Sequence, residues 1–412
     1  MSKDRLRRAR LGALAGVGAL ALSACAATGA GNAVRVARTP TASGVSATVS
    51  PSLSPGPSSS SAPSPSPSPS ASIGESEGTL RMLTFQDHVE YGAASSKVDW
   101  LTPFERQTGC RVRLDRVETS VEMAEQFSRT PYDVVSPSPD LAGRLMAEGK
   151  VATIDTGLIE AYKDIPKRLR ELPAVRRGDR VYGVPYLWGI NEIMYEGERP
   201  RGPEALYTAS RSAIRDNPMS IADAALALKG FRPELKIDDP FQLTPAQLDA
   251  AEKLLAERDG PERVYWKESS LDVIRAFAAE GVRIAQALPY DLDVFKRAGR
   301  PVKALEAPMT GWVDSWMVVA GNASPNCAYK WLNWVSSPEA QGQASDWTWL
   351  APANLKACDG RARRVCEAYH ARDAGRLRSI HFAVRPSKDC GGQGGECTDY
   401  TEWEERWKQL VK

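Results

Sequence analysis

The chain has 412 residues, a quarter of them charged, with 53 Lys and Arg against 51 Asp and Glu. That length allows two or three domains, and the near balance of charge excludes the clustered basic excess of a nucleic-acid binder. Beyond residue 78 there are 46 basic and 48 acidic residues, a formal charge of −2, so the part expected to fold is no more basic than the whole.

The first segment is not expected to belong to the fold. Lys3, Arg5, Arg7, Arg8 and Arg10 precede a short apolar run, Leu11 to Ala21, which ends in Leu22-Ser23-Ala24-Cys25. A basic start, an apolar stretch and small residues before a cleavage point make a secretory signal, too short to span a bilayer as a helix. The Leu-Ser-Ala-Cys ending resembles a bacterial lipobox, which implies that Cys25 is lipidated and becomes the mature N-terminus. An ordinary signal with an incidental Cys is the alternative. Residues 26–78 shift to Ser, Pro, Ala, Thr and Gly, with Pro and Ser alternating near Pro63 to Pro69. Such a stretch cannot bury apolar surface and is expected to stay disordered. As a coil it would reach about 40 Å, so 1–25 reads as a signal, 26–78 as a stalk and 79–412 as the folded part.

Within that part, Leu80 to Phe85 reads as a strand, followed by the polar and aromatic loop Gln86 to Gly92. Val98 to Thr108 reads as a helix stopped by Gly109, Cys110 to Val117 as a strand, and Val121 to Ser128 as a helix. Tyr132 to Val135 is a third strand, and Leu141 to Glu148 a third helix. Three strand–helix alternations within about seventy residues predict an α/β sandwich with a mostly parallel sheet. Arg180 to Tyr186 and Asn191 to Tyr195 read as strands separated by Leu187 to Ile190. Helices are expected from Ile221 with Ser220 as N-cap, from the Thr244-Pro245-Ala246-Gln247 capping box, and from Ser270 to Gly281. Val282 to Leu288 is a buried-looking strand, Leu292 to Ala298 a helix and Val302 to Leu305 a short strand. After Gly311 to Val319 come helices at Asn326 to Val335, Pro338 to Asp346 and Tyr400 to Val411.

Gly311 to Val319 carries the most informative chemistry. Its Val and Trp residues favour a pleated, buried surface, and alternation projects Trp312 and Asp314 from one face. An indole beside a carboxylate suits an organic cation, through cation–π attraction and a charge-assisted hydrogen bond. A core Trp beside a turn Asp is the competing explanation. Beyond the signal there are six cysteines, an even number consistent with disulfides in an exported chain. Short spacing pairs Cys358 with Cys366 and Cys390 with Cys397. The spacings do not fit a zinc site, the three histidines are far apart, and no cofactor motif is present. No Gly-x-Ser-x-Gly, His-Glu-x-x-His or glycine-rich phosphate loop supports an enzyme.

Read in order, the chain resembles the spermidine/putrescine-binding family of ABC-transporter solute-binding proteins. The resemblance covers nearly all of residues 80–355 and is carried by the following segments. They are Thr102-Pro103-Phe104-Glu105 with Thr108-Gly109, Tyr132-Asp133-Val134-Val135, Tyr182 to Gly189, Trp312-Val313-Asp314-Ser315, Tyr329-Lys330-Trp331, Ser337-Pro338-Glu339 and Ala351-Pro352-Ala353-Asn354. It implies a two-lobed α/β periplasmic-binding-protein-like fold whose hinge strands let the lobes close over a ligand cleft. The crossings are expected near 185–195 and 305–319, and 355–412 looks like an actinobacterial elaboration. It also puts Cys110 and Cys327, the remaining cysteines, in one lobe and so as a pair.

Carried over by position, Trp312 and Asp314 fall on the family's cation-binding Trp and Asp, and Asp223 on a second ligand carboxylate. A helix-dipole acid explains Asp223 equally simply. Ser138 falls on a polar contact, with Asp140 two residues later where an aromatic is usual, although a turn between prolines also accounts for a Ser. Phe85 and His88 fall on the first aromatic pair. Trp188 reads as ligand wall or hinge core, and Tyr290 and Trp349 as cleft aromatics or core. The chain departs from the pattern at Leu226, where a third carboxylate is usual, and near Leu288, where Tyr290 would replace a missing Trp. The implied function is a monomeric lipoprotein on the outer face of the cytoplasmic membrane that passes a putrescine- or spermidine-like cation to an ABC permease. A receptor for a sugar or other neutral solute, and a secreted hydrolase, are the alternatives.

Overall fold

The computed structural model describes residues 72–267, 270–389 and 396–411. The expected lipidation of Cys25 and the Cys390–Cys397 pairing therefore lie outside the described residues.

Thr79–Phe85 forms the first strand because Leu80, Met82 and Leu83 can be buried completely. Arg111–Val117 runs parallel to it at the sheet edge, and Val134–Val135 runs parallel on its other side. The helices between them stop where local chemistry demands. Gly109 adopts φ +73° after Leu101–Thr108, a conformation that glycine reaches without penalty. The Thr119–Glu122 capping box opens Ser120–Arg129. Past Val134–Val135 lie Met309–Val318, Gly183–Ile190 and Ala351–Pro352, paired antiparallel, with Ile380–Phe382 parallel to the start of Met309–Val318. These seven strands form the sheet of the larger lobe.

The smaller lobe is a five-stranded sheet in the order Val302–Ala304, Glu192–Glu196, Ile284–Ala287, Ser212–Arg215, Arg263–Trp266. The chain enters it between Ile190 and Glu192 and leaves between Ala304 and Met309. Helices Ser220–Phe231 and Pro245–Ala256 cover it, the second opened by the expected Thr244–Gln247 capping box.

Several local expectations change. Leu187 to Ile190 is not a separator. It completes Gly183–Ile190, all eight residues of which are buried between neighbours. Ser220 lies inside its helix, and its hydroxyl bonds the Arg215 carbonyl at 2.9 Å. Strands Ser212–Arg215 and Arg263–Trp266 escape sequence inspection because both are four residues long and each carries a charged Arg at one end.

The segment after residue 355 joins both lobes. Cys358 and Cys366 are bonded to each other, and their segment packs into the larger core. The final helix, Tyr400–Leu410, buries Trp403 and Trp407 in the smaller one. Between them Arg376 pairs with the buried carboxylate of Glu192 at 2.5 Å, fastening the tail to the strand that enters the smaller lobe.

Candidate functional site

Trp312 and Asp314 project from one face of Met309–Val318, as alternation requires, and the Trp312 side chain hydrogen-bonds the Asp314 carboxylate. The indole is partly buried and packs against the cores of both lobes. It lies over Gly189, its cross-strand partner, where a Cβ would overlap the ring. Asp314 is 3% exposed. Burial is the main cause that raises its pKa to about 7, and nearby Asp140 pushes the same way. The Trp312 bond and the Arg215 charge oppose them.

Asp140 opens the helix Pro139–Ala147. Ser138 donates to its carboxylate at 2.5 Å, and Ser120 lies 3.4 Å from it and is bonded to Ser138 as well. From the tail, Tyr400 hydrogen-bonds Asp140, while Arg385 donates to the Asp140 carbonyl at 3.2 Å and stacks 4.6 Å from the Tyr400 ring centroid.

Asp223 enters from the smaller lobe, in the first turn of Ser220–Phe231. Thr310 of the larger-lobe strand donates to it at 2.5 Å, Gln286 at 2.8 Å and Asn191 at 3.5 Å. Its pKa is also raised to about 7, by burial first, against these three donors and Arg215. The first-turn acid is thus a bridge between lobes, beyond any interaction with its own helix.

Arg215 is the residue that sequence inspection missed. It ends the strand Ser212–Arg215, at the carboxyl edge where α/β sheets gather ligand contacts. Its guanidinium stands 4.7 Å from the Trp312 ring centroid and 5.6 Å from that of Trp266. The Gln286 side chain accepts from its backbone N–H at 2.9 Å. An overlooked strand hid the signal, since an Arg just before Asp216-Asn217-Pro218 would otherwise mark a strand end.

Other expected residues stand elsewhere. Val313 pairs with Trp188 and Trp312 with Gly189, so Trp188 occupies the opposite face from Trp312. Trp188 is 1% exposed, bonds the Pro352 carbonyl and packs on Tyr369 and Phe382, so it is hinge core and not ligand wall. Phe85 and His88 do meet, 5.5 Å apart, but His88 packs on Tyr186 within the larger lobe. Burial lowers the His88 pKa to about 4, which keeps the ring neutral at physiological pH. Tyr290 and Trp349 pair with each other at 5.2 Å, with Arg364 over the Trp349 ring. That trio is distinct from the Trp312 group. Leu226 is buried and apolar where a third acid was looked for.

A cavity of about 800 Å³ opens between Gly143 and Ala147 of the larger lobe, Asp238 to Thr244 of the smaller and Val384 to Asp389 of the tail. Arg385 lines it, but Trp312, Asp314, Asp223 and Arg215 do not, so it adjoins the acidic cluster at Asp140 without uncovering it. Among the described residues no group of three or more His, Cys, Asp or Glu is placed to hold a metal ion.

The profile of the family described as bacterial extracellular solute-binding protein matches residues 84–342. The chain is 23% identical over 226 residues to the putrescine-binding periplasmic protein SpuD of Pseudomonas aeruginosa, a match covering 50% of this chain and 58% of that protein. It is 23% identical over 317 residues to the putrescine-binding periplasmic protein PotF of Escherichia coli, covering 69% and 80% of the two chains. In structure it is similar to the spermidine/putrescine substrate-binding protein PotD of Streptococcus pneumoniae, with a TM-score of 0.62, 16% identity, and coverage of 81% and 99%. With most of the two-lobed region inside the matched profile, the chain belongs to the bacterial extracellular solute-binding proteins.

Proposed function

We propose that the chain is the lipid-anchored receptor of an ABC importer, a binding protein and not an enzyme, which captures a small organic amine of the polyamine class and delivers it to a membrane permease. The observation that carries this reading is the hydrogen-bonded Trp312–Asp314 pair, its carboxylate buried and within electrostatic reach of a second acid, Asp140. An ammonium there gains a carboxylate partner, and exclusion of water strengthens that ion pair. The names of the SpuD, PotF and PotD relatives support the same class.

Calorimetry with putrescine and spermidine tests it. Binding that weakens as salt rises fits a cation, whereas salt-independent binding of a sugar would overturn the ligand class. Gly189→Ala is expected to displace the Trp312 ring, break its hydrogen bond to Asp314 and weaken amine binding about tenfold, the scale of one hydrogen bond to a charged group. Unchanged affinity would remove Trp312 from the site.

The anchor is proposed at Cys25, and among the described residues no helix is long and apolar enough to cross a membrane. A diacylated or triacylated cysteine holds stably where one chain does not. Cys25→Ser is expected to move the protein from the membrane fraction to the medium, and retention in membranes would refute the anchor.

A further inference from the structure

On the side that faces the tail, a cavity of about 800 Å³ separates Gly143 and Ala147 of the larger lobe from Asp238 to Thr244 of the smaller. Arg385 lines that cavity and reaches the larger lobe at its edge. Its guanidinium donates to the Asp140 carbonyl at 3.2 Å. Its Cβ rests on Gly143, where an added methyl would stand 2.7 Å from it. The same guanidinium lies 4.6 Å from the ring centroid of Tyr400, whose backbone N–H donates to the Pro386 carbonyl at 3.2 Å.

The segment that carries Arg385 is held by the smaller lobe. Ala383 and Val384 pack against the smaller core. Thr398 gives its backbone N–H and its hydroxyl to the Leu243 carbonyl at 2.8 and 3.0 Å. Beyond Tyr400, Trp403 and Trp407 are buried in the same core, and Trp407 donates to the Asp216 carboxylate at 2.8 Å. The tail leaves the larger sheet at Ile380–Phe382, so Phe382 to Ala383 is a third crossing between the lobes. A hinge motion that opens the lobes therefore carries Arg385 away from Asp140 and Gly143 while both indoles stay buried.

We infer that Arg385 is a latch. Seated on Gly143 and bonded to the Asp140 carbonyl, it holds the lobes together before solute arrives and sets how fast solute enters and leaves. A contact made only in the closed arrangement shifts the equilibrium toward it by the free energy of that contact, with or without ligand. Entry then waits for the open fraction, and exit waits for the same contact to part. The two rates fall together and the affinity hardly changes. The latch goes beyond the amine reading and does not depend on it.

The test reads the lobe separation directly. Spin labels carried by noncanonical residues at Glu148 and Ala246, one exposed position on each lobe, report the distance in the full chain without ligand. The wild type is expected to show mainly the short distance. Arg385→Ala should add a longer population, and Gly143→Ala should do the same, because its methyl takes the place where the Arg385 stem rests. Alanine is otherwise the better residue inside a helix, so this second variant keeps the fold. Stopped-flow measurement with putrescine should show entry and exit both about tenfold faster in either variant, with Kd within about threefold, the scale of one hydrogen bond from a charged donor. Arg385→Lys, which keeps the charge but loses the stacked plane, should fall between. Unchanged distances in both variants overturn the inference, and so does a wild type already spread to long distances. A loss of affinity without faster exchange overturns it too, since damage to the site would do that. If putrescine binds no form of the protein, the amine reading falls and the distances alone decide the latch.

Discussion

Asp314→Asn is expected to raise the stability of the ligand-free protein and weaken amine binding, two effects of opposite sign from one atom change. The carboxylate is buried, and its pKa rises from an ordinary 3.8 to about 7. The folded state therefore holds its proton more tightly than the unfolded chain does. The stability lost to this group is nil below the unfolded-state pKa near 4, grows as pH rises toward 7, and levels off above it. The amide carries no such penalty, so the variant's advantage should be absent near pH 3 and reach at most about 4 kcal/mol at pH 8. In the complex the sign reverses. An ammonium facing a desolvated amide has lost its counter-charge, at a cost of about 2–5 kcal/mol. Binding of a cation also favours the ionised acid, so affinity in the wild type should climb between pH 6 and 8 and the Asn variant should lose that slope. Thermal midpoints across pH, with calorimetry at pH 6 and 8, check all three. A midpoint that falls at pH 8, or an affinity that stays put, would show that Asp314 is not a desolvated ligand acid.

The same residue shows why the site was partly legible in the sequence. Alternation alone puts Trp312 and Asp314 on one face, and two-residue periodicity survives whatever the strand packs against. It could not say which face of Gly183–Ile190 looks into the cleft, because every position of that strand is buried and the pattern is flat. Trp188 was consequently open to either reading until the register with Val313 placed it in the core. Arg215 was invisible for another reason. Its strand is four residues long, its neighbours are Ser, Ala and Ile, and its importance comes from Trp312, nearly a hundred residues away. Long-range pairings that depend on a hidden strand are not local information. The fold was more legible than the site because capping boxes, glycine stops and strand–helix alternation are local, and Thr119–Glu122, Thr244–Gln247 and Gly109 behave as local chemistry dictates. The tail lies between these cases. Its cysteine spacing announced Cys358–Cys366, but nothing local announced that Tyr400 and Arg385 reach Asp140.

Replacing both Cys110 and Cys327 by Ala is expected to cost far more stability than replacing Cys358 and Cys366, and to leave binding almost untouched. The first bridge closes a loop with a sequence separation of 217 and the second one of 8. On the chain-entropy treatment these are worth about 5 and about 2–3 kcal/mol, and the enthalpic account of disulfides would narrow the gap. The longer bridge ties the amino end of Arg111–Val117 to the helix Pro325–Val335, whose Trp331 is fully buried. It also marks where the chain joins the domain. Ser76 lies 3.3 Å from both sulfurs, and Glu77 accepts from the backbone N–H groups of Asn326 and Cys327 at the start of that helix. These bonds hold the Glu77 carboxyl below its ordinary range although burial alone would raise it. The site, by contrast, lies past the carboxyl ends of the parallel strands, seven residues or about 20 Å along the sheet. Loss of the bridge should therefore lower the denaturation midpoint and loosen residues 74–78 against the domain while ligand affinity at 25 °C stays within about threefold. Urea unfolding of both double variants, with calorimetry on the survivors, measures the ranking and the separation together. Equal losses from the two bridges would show that loop closure is not what the long one contributes, and a collapse of binding would mean that the cleft depends on the far end of the sheet.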